Sequence, residues 1–386
     1  MKLYYWCPFF SNIATEKAVI NSIVSIKKFS NNKIDPILLD VIGEWELQKK
    51  KLEEKKIKKT DLLSFKIIDY LPKYGFLKSR ISYFIVLFFS IFKLHKKLRK
   101  DEPDFIVIHL MTFIPLLLLL IFNYKTKFIL RISGYPKLNY LRTFLWKIVG
   151  KKLHIITTPT KSTMNFINDL KIFSLNKVKY LPDPVLDLSD IRKKKIDKIN
   201  LEPELNSEKI IISIGRLTIQ KNFEFLIESF NNIIKTFPDY KLLILGDGEQ
   251  KKRLKNIIKD LNLENKIFLL GYKKNIYKYL QKAKIFILTS LWEDPGFVLI
   301  EAGIMNKTIL SSNCPNGPSE LLEDGKNGFL FESNSFDDFE KQFFLIENAK
   351  KKALFEKKIF FKKKIKEFTL FNHYKILKKI LHSNEN

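Results

Sequence analysis

The sequence predicts an α/β protein with two Rossmann-like domains, each a parallel sheet covered by helices on both faces. First, short buried strand patterns alternate with helical patterns along most of the chain. Second, this alternation is interrupted once, where Pro182-Asp183-Pro184 precedes a charged, aperiodic stretch at 187–209. Third, 386 residues with 46% hydrophobic content are enough for two or three folded cores.

The interruption is interpreted as a linker between two halves of similar size. Ligands of open parallel sheets bind beyond the C-terminal ends of the strands. The two domains are therefore expected to face each other across a cleft, with the ligand between them. The predicted domains span residues 1–185 and 186–365, and a last segment covers 366–386.

In the first half, strands are predicted at 2–6, 37–41, 105–109, 127–132, 153–158 and 178–181. Helices are predicted from about Glu16, over 81–94 and over 115–122. The lysine-rich run that ends at Thr60 is predicted to be a solvated helix.

In the second half, strands are predicted at 210–214, 242–245, 266–270, 284–289, 308–311 and 329–331. A helical stripe follows the first of these strands, with apolar residues at i, i+3, i+4 and i+7 from Phe223. A second helix is predicted to begin near Gly296, after a polar loop at 290–295.

The formal net charge of +28 has three possible explanations. In the first, lysine is simply favoured throughout the chain and coats its solvated faces. Alternatively, the runs at 49–59 and 350–366 dock on anionic lipid, with Phe360 and Phe361 among the lysines of the second run. Nucleic acid is the least favoured partner, because no nucleic-acid-binding motif accompanies the charge.

The composition also bears on location and metal content. Two distant cysteines and five scattered histidines favour neither a disulfide framework nor a zinc site, and they fit a reducing, cytoplasmic setting. No signal-peptide pattern opens the chain. The uncharged stretch 105–122 approaches the length of a spanning helix, but its His109 and Pro115 favour a strand followed by a buried helix.

One pattern in the second half suits a diphosphate ligand. The segment IISIGRLTIQKN is a strand, a glycine turn and then Arg216 and Lys221 ahead of a helix N-terminus. An arginine fork, a lysine charge and free N–H groups all bind phosphate oxygens. The later Gly246-Asp247-Gly248-Glu249 lacks a third glycine, so it is interpreted as a turn with an acid that caps the next helix.

Glu293 and Glu301 are the carboxylates nearest to this group along the strand–loop–helix segment KIFILTSLWEDPGFVLIE. Eight helical steps would separate them by about 80°, so Glu293 is assigned to the loop and Glu301 to the helix. A carboxylate pair alone would suit a glycosidase. The neighbouring cations favour a nucleotide sugar instead, since a carboxylate can bind ribose hydroxyls and the cations can bind the diphosphate.

These motifs resemble the donor domain of glycosyltransferase family 4, whose fold is called GT-B. The resemblance covers about 120 residues through IGRLTIQKNFEFLIESF, LLILGDGEQKKRL, FLLGY, ILTSLWEDPGFVLIEAG and PNGPSELLEDGKNGFLF, and it includes the spacing between Glu293 and Glu301. The sequence departs from the family's pattern at Asp294-Pro295, beside the sugar. The resemblance implies a capsule, O-antigen or lipopolysaccharide enzyme.

The resemblance also implies roles for individual residues. Arg216 and Lys221 would bind the donor diphosphate, Glu301 the ribose, and Glu293 the donor sugar near the reacting carbon. The amides of Gly296, Phe297 and Val298 would meet the phosphates or the sugar. Gly271 and Tyr272 would lie beside the base, and residues 315–319 would approach the sugar or pyrophosphate.

In the first half the resemblance is looser. His109 falls where family members often carry a histidine that faces the sugar between the domains. The family's two glycines in the first loop are absent, since this chain has Ser11-Asn12-Ile13-Ala14. By position alone, 131–135 would line the acceptor side. Residues 368–381 would pack back on the first domain, as in this fold.

The resulting hypothesis is a retaining, metal-independent glycosyltransferase without a cofactor. It would move a hexose or N-acetylhexosamine from a UDP- or GDP-linked sugar to a lipid-linked glycan, while docked on the anionic inner face of the cytoplasmic membrane. Arg216, Lys221 and a helix N-terminus would replace a metal ion on the leaving diphosphate. The alternatives are a GT-B sugar-nucleotide epimerase and a non-catalytic basic protein that binds membrane surfaces.

Overall fold

A computed structural model describes residues 1–10, 14–71, 76–136, 138–196 and 209–383, with the backbone alone for 76–80. The chain divides into two compact units. The first comprises Met1–Val185 and Leu370–Asn386, and the second comprises Leu186–Thr369. The second unit thus ends at Thr369, four residues beyond the predicted boundary at 365.

Each unit contains one parallel sheet within the described residues. In the first unit the seven strands have the order β3-β2-β1-β4-β5-β6-β7, and in the second the six strands have the order β10-β9-β8-β11-β12-β13. The strands are β1 Lys2–Trp6, β2 Asp35–Asp40, β3 Lys58–Asp61, β4 Phe105–Ile108, β5 Lys127–Arg131, β6 Ile155–Thr158, β7 Val178–Tyr180, β8 Ile210–Ile214, β9 Lys241–Leu245, β10 Ile267–Gly271, β11 Ile285–Leu288, β12 Thr308–Ser312 and β13 Phe329–Phe331. The predicted class, two parallel-sheet α/β domains, is confirmed.

Helices connect successive strands, as parallel pairing requires. They are α1 Ala14–Phe29, α2 Lys49–Glu54, α3 Phe76–Asp101, α4 Phe113–Ile121, α5 Tyr140–Val149, α6 Lys161–Asp169, α7 Leu188–Ile196, α8 Phe223–Thr236, α9 Lys251–Asp260, α10 Tyr277–Lys282, α11 Phe297–Ile304, α12 Pro318–Leu322, α13 Phe336–Asn348, α14 Lys351–Lys364 and α15 Leu370–Leu381.

The lysine-rich run 49–59 is not one solvated helix, so that prediction is wrong. Helix α2 occupies its start, and its end enters strand β3 at the edge of the first sheet. Lys58 and Lys59 are held there by ion pairs to Asp35 at 2.8 Å and to Asp40 at 2.7 Å. An edge strand needs only one paired side, so its sequence can remain polar and resemble a helix surface.

The predicted linker is also partly structured. Residues 188–196 form α7, which packs against α10 of the second unit. Ile191 supplies the buried contact, although the rest of the helix is too charged to show an apolar stripe. Residues 197–208 of the linker, like 11–13 of the first loop, lie outside the described residues.

Helix α15 covers one face of the first sheet together with α1. Leu370, Leu377 and Ile380 are buried in the same cluster as Val19 and Ile23 of α1. Helix α15 thus contributes to the core of the first unit.

The stretch 105–122 is strand β4 followed by helix α4, as the favoured interpretation of the sequence proposed. Within the described residues, no helix combines the length and the apolar character needed to cross a bilayer.

Candidate active site

Five loops of the second unit leave the C-terminal ends of neighbouring parallel strands. They follow β8, β9, β10, β11 and β12, and strand order places these ends along one edge of the sheet. Because parallel strands share one direction, all five loops emerge on the same side. This edge carries most of the residues singled out in the sequence.

Lys221 and Glu293 are brought together here from segments that are distant in the chain. The Lys221 Nζ lies 2.5 Å from Glu293 Oε1, and the two side chains are 15% and 6% exposed. The Ser290 hydroxyl donates a second hydrogen bond to the same oxygen at 2.6 Å. A carboxylate this deeply buried is stable only with such partners.

Three hydrogen bonds, one between backbone groups and two donated by side chains, join the loop that carries Glu293 to the loop that carries Lys221. Leu291 N–H donates to Gln220 O at 2.8 Å, and Gln220 Nε2 donates to Trp292 O at 2.8 Å. The Thr289 hydroxyl donates to Lys221 O at 3.0 Å. The ion pair therefore sits between two segments that cannot move independently.

The loop after β12 supports the Glu293 loop from its other side. Glu293 N–H donates to Pro315 O at 3.1 Å. A Cβ atom at Gly317, whose φ is +141°, would lie 2.2 Å from Pro295 O. Residues 315–319, predicted to approach the ligand, thus contact the Glu293 loop, and at position 317 the contact is so close that only glycine fits.

Arg216 is exposed on a loop that rests on the Gly-Asp-Gly turn. Leu217 N–H donates to Asp247 O at 3.0 Å, and a Cβ at Gly246 (φ +152°) would lie 1.8 Å from Gly215 O. The Asp247 carboxylate accepts from Gly248 N–H at 2.9 Å and does not cap α9, whose N-cap residue is Gln250. The prediction of a turn is therefore right, but the turn supports the Arg216 loop and is not a helix cap.

Helix α11 begins immediately after the Glu293 loop. Gly296 precedes it with φ of +90°, and Phe297 and Val298 of its first turn are partly exposed. The first N–H groups of a helix lack intrahelical partners and carry partial positive charge. An anion near Glu293 would therefore meet these amides as well as Lys221.

Glu301 is buried in the second turn of α11, where the Tyr277 hydroxyl donates to its Oε1 at 3.3 Å. Burial, and then the nearby Glu301 charge, raise the pKa of Tyr277 far above its usual range. The phenol therefore stays a donor at every physiological pH. The sequence did not identify Tyr277 as a neighbour of Glu301. Tyr277 lies on the short helix α10, in a different segment of the chain that carries no recognised motif.

The two residues predicted to lie beside a base follow strand β10. Gly271 ends the strand with φ of +71°, and nothing lies within 4 Å of where its Cβ would be. Tyr272 is exposed, so its ring is open to a stacking partner. Gly271 O also accepts from Gly246 N–H at 2.9 Å, which joins this loop to the one under Arg216.

His109 belongs to the first unit, where it follows β4. It is buried, its ring stacks on Tyr5, and no hydrogen-bond partner is present for Nδ1 among the described residues. Burial, followed by the charge of Arg131, holds the pKa of His109 well below its ordinary value. The ring is therefore neutral, and its predicted contact with the donor sugar stays a prediction.

Two side chains lie elsewhere than the sequence suggested. Arg131, placed on the acceptor side, is buried and donates to Leu181 O at 2.6 Å and to Asp183 Oδ1 at 2.7 Å. Phe361, expected at a membrane, is buried against Gly303 of α11. Both side chains point into the protein interior. The sequence did not predict this, because it does not give the direction of a side chain.

Two further observations concern a thiol beside the site and possible metal ligands. Burial raises the pKa of the Cys314 thiol to about 12, so the thiol is protonated beside Glu293. Across the residues that the structure describes, no group of three or more His, Cys, Asp or Glu side chains is placed to hold a metal ion.

Comparison with known proteins points to one family. Residues 193–375 match the family model described as glycosyl transferases group 1. An uncharacterized glycosyltransferase of Methanocaldococcus jannaschii is 34% identical over 252 residues, 60% of this chain and 61% of that protein. A Campylobacter jejuni N-acetylgalactosamine-N,N'-diacetylbacillosaminyl-diphospho-undecaprenol 4-alpha-N-acetylgalactosaminyltransferase is 30% identical over 249 residues, 62% of this chain and 66% of that protein. The chain thus matches less than two thirds of each relative's length.

A solved structure shares the fold over the whole chain. Anabaena HepE in complex with UDP superposes with a TM-score of 0.71 at 16% identity, covering 100% of both chains. At this identity the likeness shows the fold alone, which is GT-B.

Proposed function

We propose, from the match of residues 193–375 to the family model described as glycosyl transferases group 1, that this protein is a glycosyltransferase. It moves a hexose or N-acetylhexosamine from a UDP- or GDP-linked sugar to a lipid-linked glycan. The configuration at the sugar's reacting carbon is retained. The reaction belongs to the synthesis of a cell-surface polysaccharide such as a capsule, an O-antigen or lipopolysaccharide.

The observation that carries this proposal is the buried Lys221–Glu293 ion pair beside the N-terminus of α11. A carboxylate there can accept hydrogen bonds from sugar hydroxyls, while the ammonium and the free amides attract phosphate oxygens. Arg216 adds a second cation earlier in the same loop as Lys221. Charge that develops on a departing diphosphate is therefore stabilised by groups already in place.

The remaining roles follow from position in the site. Glu301, oriented by Tyr277, binds the ribose hydroxyls, and Tyr272 stacks on the base beside Gly271. The amides of Gly296, Phe297 and Val298 bind phosphate or sugar oxygens. His109 of the first unit contacts the donor sugar as a neutral ring. No metal ion is required, because Arg216, Lys221 and the helix end supply the positive charge.

A lipid-linked acceptor is supported by the names of two relatives. The Campylobacter relative acts on a diphospho-undecaprenol substrate, and an Escherichia coli relative is a UDP-galactose:N-acetylglucosaminyl-diphosphoundecaprenol galactosyltransferase. An enzyme with such an acceptor works at a bilayer surface. We therefore propose that the protein is cytoplasmic and binds peripherally to the anionic inner face of the cytoplasmic membrane.

A panel of UDP- and GDP-sugars tests the proposal, first by thermal shift and then by transfer to undecaprenyl-diphosphate-linked sugars. A donor that stabilises the protein should be consumed only when an acceptor is present. Rearrangement of the donor without acceptor would instead identify an epimerase. A binding protein without catalysis would show no turnover and would tolerate Arg216→Ala. The proposal fails if no sugar nucleotide raises the melting temperature at saturation.

A further inference from the structure

Helix α3 carries phenylalanine where a surface helix normally carries polar residues. Phe84, Phe88 and Phe92 are 68%, 72% and 77% exposed. Their four-residue spacing places all three within an arc of about 80° on the helix. Large exposed rings aligned in this way are a recognised mark of an interaction surface.

The opposite face of α3 shows that these rings are not misplaced core residues. Val86, Leu94 and Leu98 are buried there at the positions expected of a core face, together with Ser82 and Ser90. The helix thus buries two serines and exposes four phenylalanines, since Phe89 is also 38% exposed. A helix whose outer face met only water would be more stable with its phenylalanines buried and its serines exposed.

A second exposed apolar group lies on α5, in the same region of the first unit. Tyr140, Leu141 and Phe144 are exposed there. Helix α4 packs against both α3 and α5, and Tyr83 of α3 is hydrogen-bonded to the backbone of Phe113 and lies near Arg142 of α5. We call Phe84, Phe88, Phe92, Tyr140, Leu141 and Phe144 the aromatic patch.

Positive charge borders the aromatic patch. The exposed side of α3 continues from Phe92 into a cationic segment with Lys93, Lys96, Arg99 and Lys100, all exposed. Helix α5 contains Arg142 and Lys147 and no acidic residue. The one acidic residue of α3, Asp101, is paired with Lys97 at 2.9 Å. Apolar and basic groups therefore occur together without free negative charge on either helix.

We propose that the aromatic patch is the surface through which the first unit inserts into an anionic lipid bilayer. A bilayer offers hydrocarbon to the rings and negative headgroups to the cations beside them. A second copy of the chain is a poor occupant by comparison, because each copy carries a formal charge of +28. Phenylalanine and tyrosine at the depth of the headgroups would fix how far the unit enters.

This surface differs from the lysine runs that the sequence suggested. Lys58 and Lys59 are used in ion pairs of the first sheet, and Lys357 donates to Gly325 O and Gly328 O within the second unit. The proposal deepens the membrane location given under the proposed function. The test of the membrane surface requires neither a sugar donor nor sugar transfer. The membrane proposal and the proposed function can therefore fail separately.

The experiment measures partitioning of the full chain onto sedimented vesicles of phosphatidylcholine alone or with 30% phosphatidylglycerol. The variant Phe84→Gln/Phe88→Gln/Phe92→Gln removes the rings but keeps helix-forming residues at exposed positions. The matched control, Leu175→Gln/Leu345→Gln/Phe355→Gln, removes three exposed apolar side chains outside the patch. Circular dichroism melting establishes that all three proteins are folded.

Wild type and control should bind the anionic vesicles alike, and the ring-free variant at least tenfold more weakly. Salt at 0.5 M should weaken wild-type binding without abolishing it, because the rings do not depend on charge. Equal binding by the variant and wild type would overturn the proposal, as would equal binding to both lipid mixtures or none to either. A dimer in sedimentation equilibrium that the variant abolishes would identify a second copy as the occupant and overturn it too.

Discussion

The Glu293 carboxylate is the most constrained charged group of the candidate site. It is buried, and Lys221 and Ser290 both donate to its Oε1. Removing charges from water costs several kcal/mol per ion, which a close partner offsets. Lys221 therefore stabilises the buried Glu293 carboxylate, and in the proposed reaction it also attracts the donor diphosphate.

This pairing predicts a measurable coupling between the two residues. Lys221→Met should lower the free energy of unfolding by about 3 kcal/mol, because it leaves the Glu293 charge buried without its cation. Adding Glu293→Gln should restore most of that loss, since the neutral amide needs no counter-charge. Urea denaturation of the wild type, both single variants and the double variant measures the coupling. Additive losses would show that the two groups do not interact.

At the residue scale, sequence reasoning identified groups that share a motif and missed those that do not. The resemblance placed Arg216, Lys221, Glu293 and Glu301 in one unit, and the structure puts the side chains of Lys221 and Glu293 in contact. Tyr277 could not be found this way, because its contact with Glu301 is set by the fold. Burial of Arg131 and Phe361 was likewise invisible to the sequence.

Among the elements, the loop after β9 has a supporting function that its sequence understates. Gly246 and Gly248 allow its backbone to touch residues 215–217, and Gln250 N–H donates to Leu217 O at 2.9 Å. The position of Arg216 is therefore set by glycines in a loop about thirty residues later in the chain.

Gly246→Ala is predicted to disturb the Arg216 loop. The alanine Cβ would lie 1.8 Å from Gly215 O, so the two loops must move apart. We expect the free energy of unfolding to fall by about 3 kcal/mol and the affinity for UDP to fall at least tenfold. Gly325→Ala is the control, since Gly325 also has a positive φ (+96°) but open space around it. It should cost about 1 kcal/mol and leave UDP affinity unchanged. Calorimetric titration that found the two variants equal would refute this account.

Helix α15 is attached to the first unit by a buried chain of hydrogen bonds. His373 Nδ1 donates to Pro182 O at 2.8 Å, because a carbonyl can only accept. Its Nε2 therefore accepts from the Ser22 hydroxyl at 2.8 Å, and Tyr5 OH donates to Ser22 at 2.7 Å. The neutral imidazole fits this chain, whereas the imidazolium would direct a proton at Ser22.

The attachment should weaken in acid. Burial lowers the pKa of His373 to about 3 in the folded protein, from an ordinary 6.5. Between these pH values the unfolded chain binds a proton that the folded chain does not, so stability falls as pH drops below about 6.5. His373→Gln should lessen this fall by about 1.4 kcal/mol per pH unit. Denaturation at pH 7.5, 5.5 and 4.5 measures it, and parallel losses in both proteins would contradict the assignment.

Helices and strands were predicted correctly where burial leaves a run or a periodic pattern of apolar residues in the sequence. Strands with two covered faces, such as β4 and β8, were visible as apolar runs. Strand β3 was not, because it is a polar edge strand, and α7 was not, because only Ile191 is buried on it. Helix α5 was also missed, since its exposed Tyr140, Leu141 and Phe144 obscure the apolar stripe.

On the scale of the whole molecule, the fold class was the most predictable property. Alternation of strand and helix along the chain predicts parallel sheets, and both sheets are parallel, with seven and six strands. The strand of the first sheet that the sequence did not predict is β3. The distribution of charge was not predictable. A net charge of +28 is visible in the sequence, but which lysines are held in ion pairs and which border exposed rings depends on the folded surface.

We propose that the edge of the second sheet binds a nucleoside diphosphate through Arg216 and Lys221. The most direct test compares the melting temperature of the protein with saturating UDP, GDP, UMP and GMP. One diphosphate should raise it by several degrees and its monophosphate by much less. In the double variant Arg216→Ala/Lys221→Met, the diphosphate should raise the melting temperature no more than its monophosphate does. The account is contradicted if no nucleotide stabilises the wild type, or if the double variant still prefers the diphosphate.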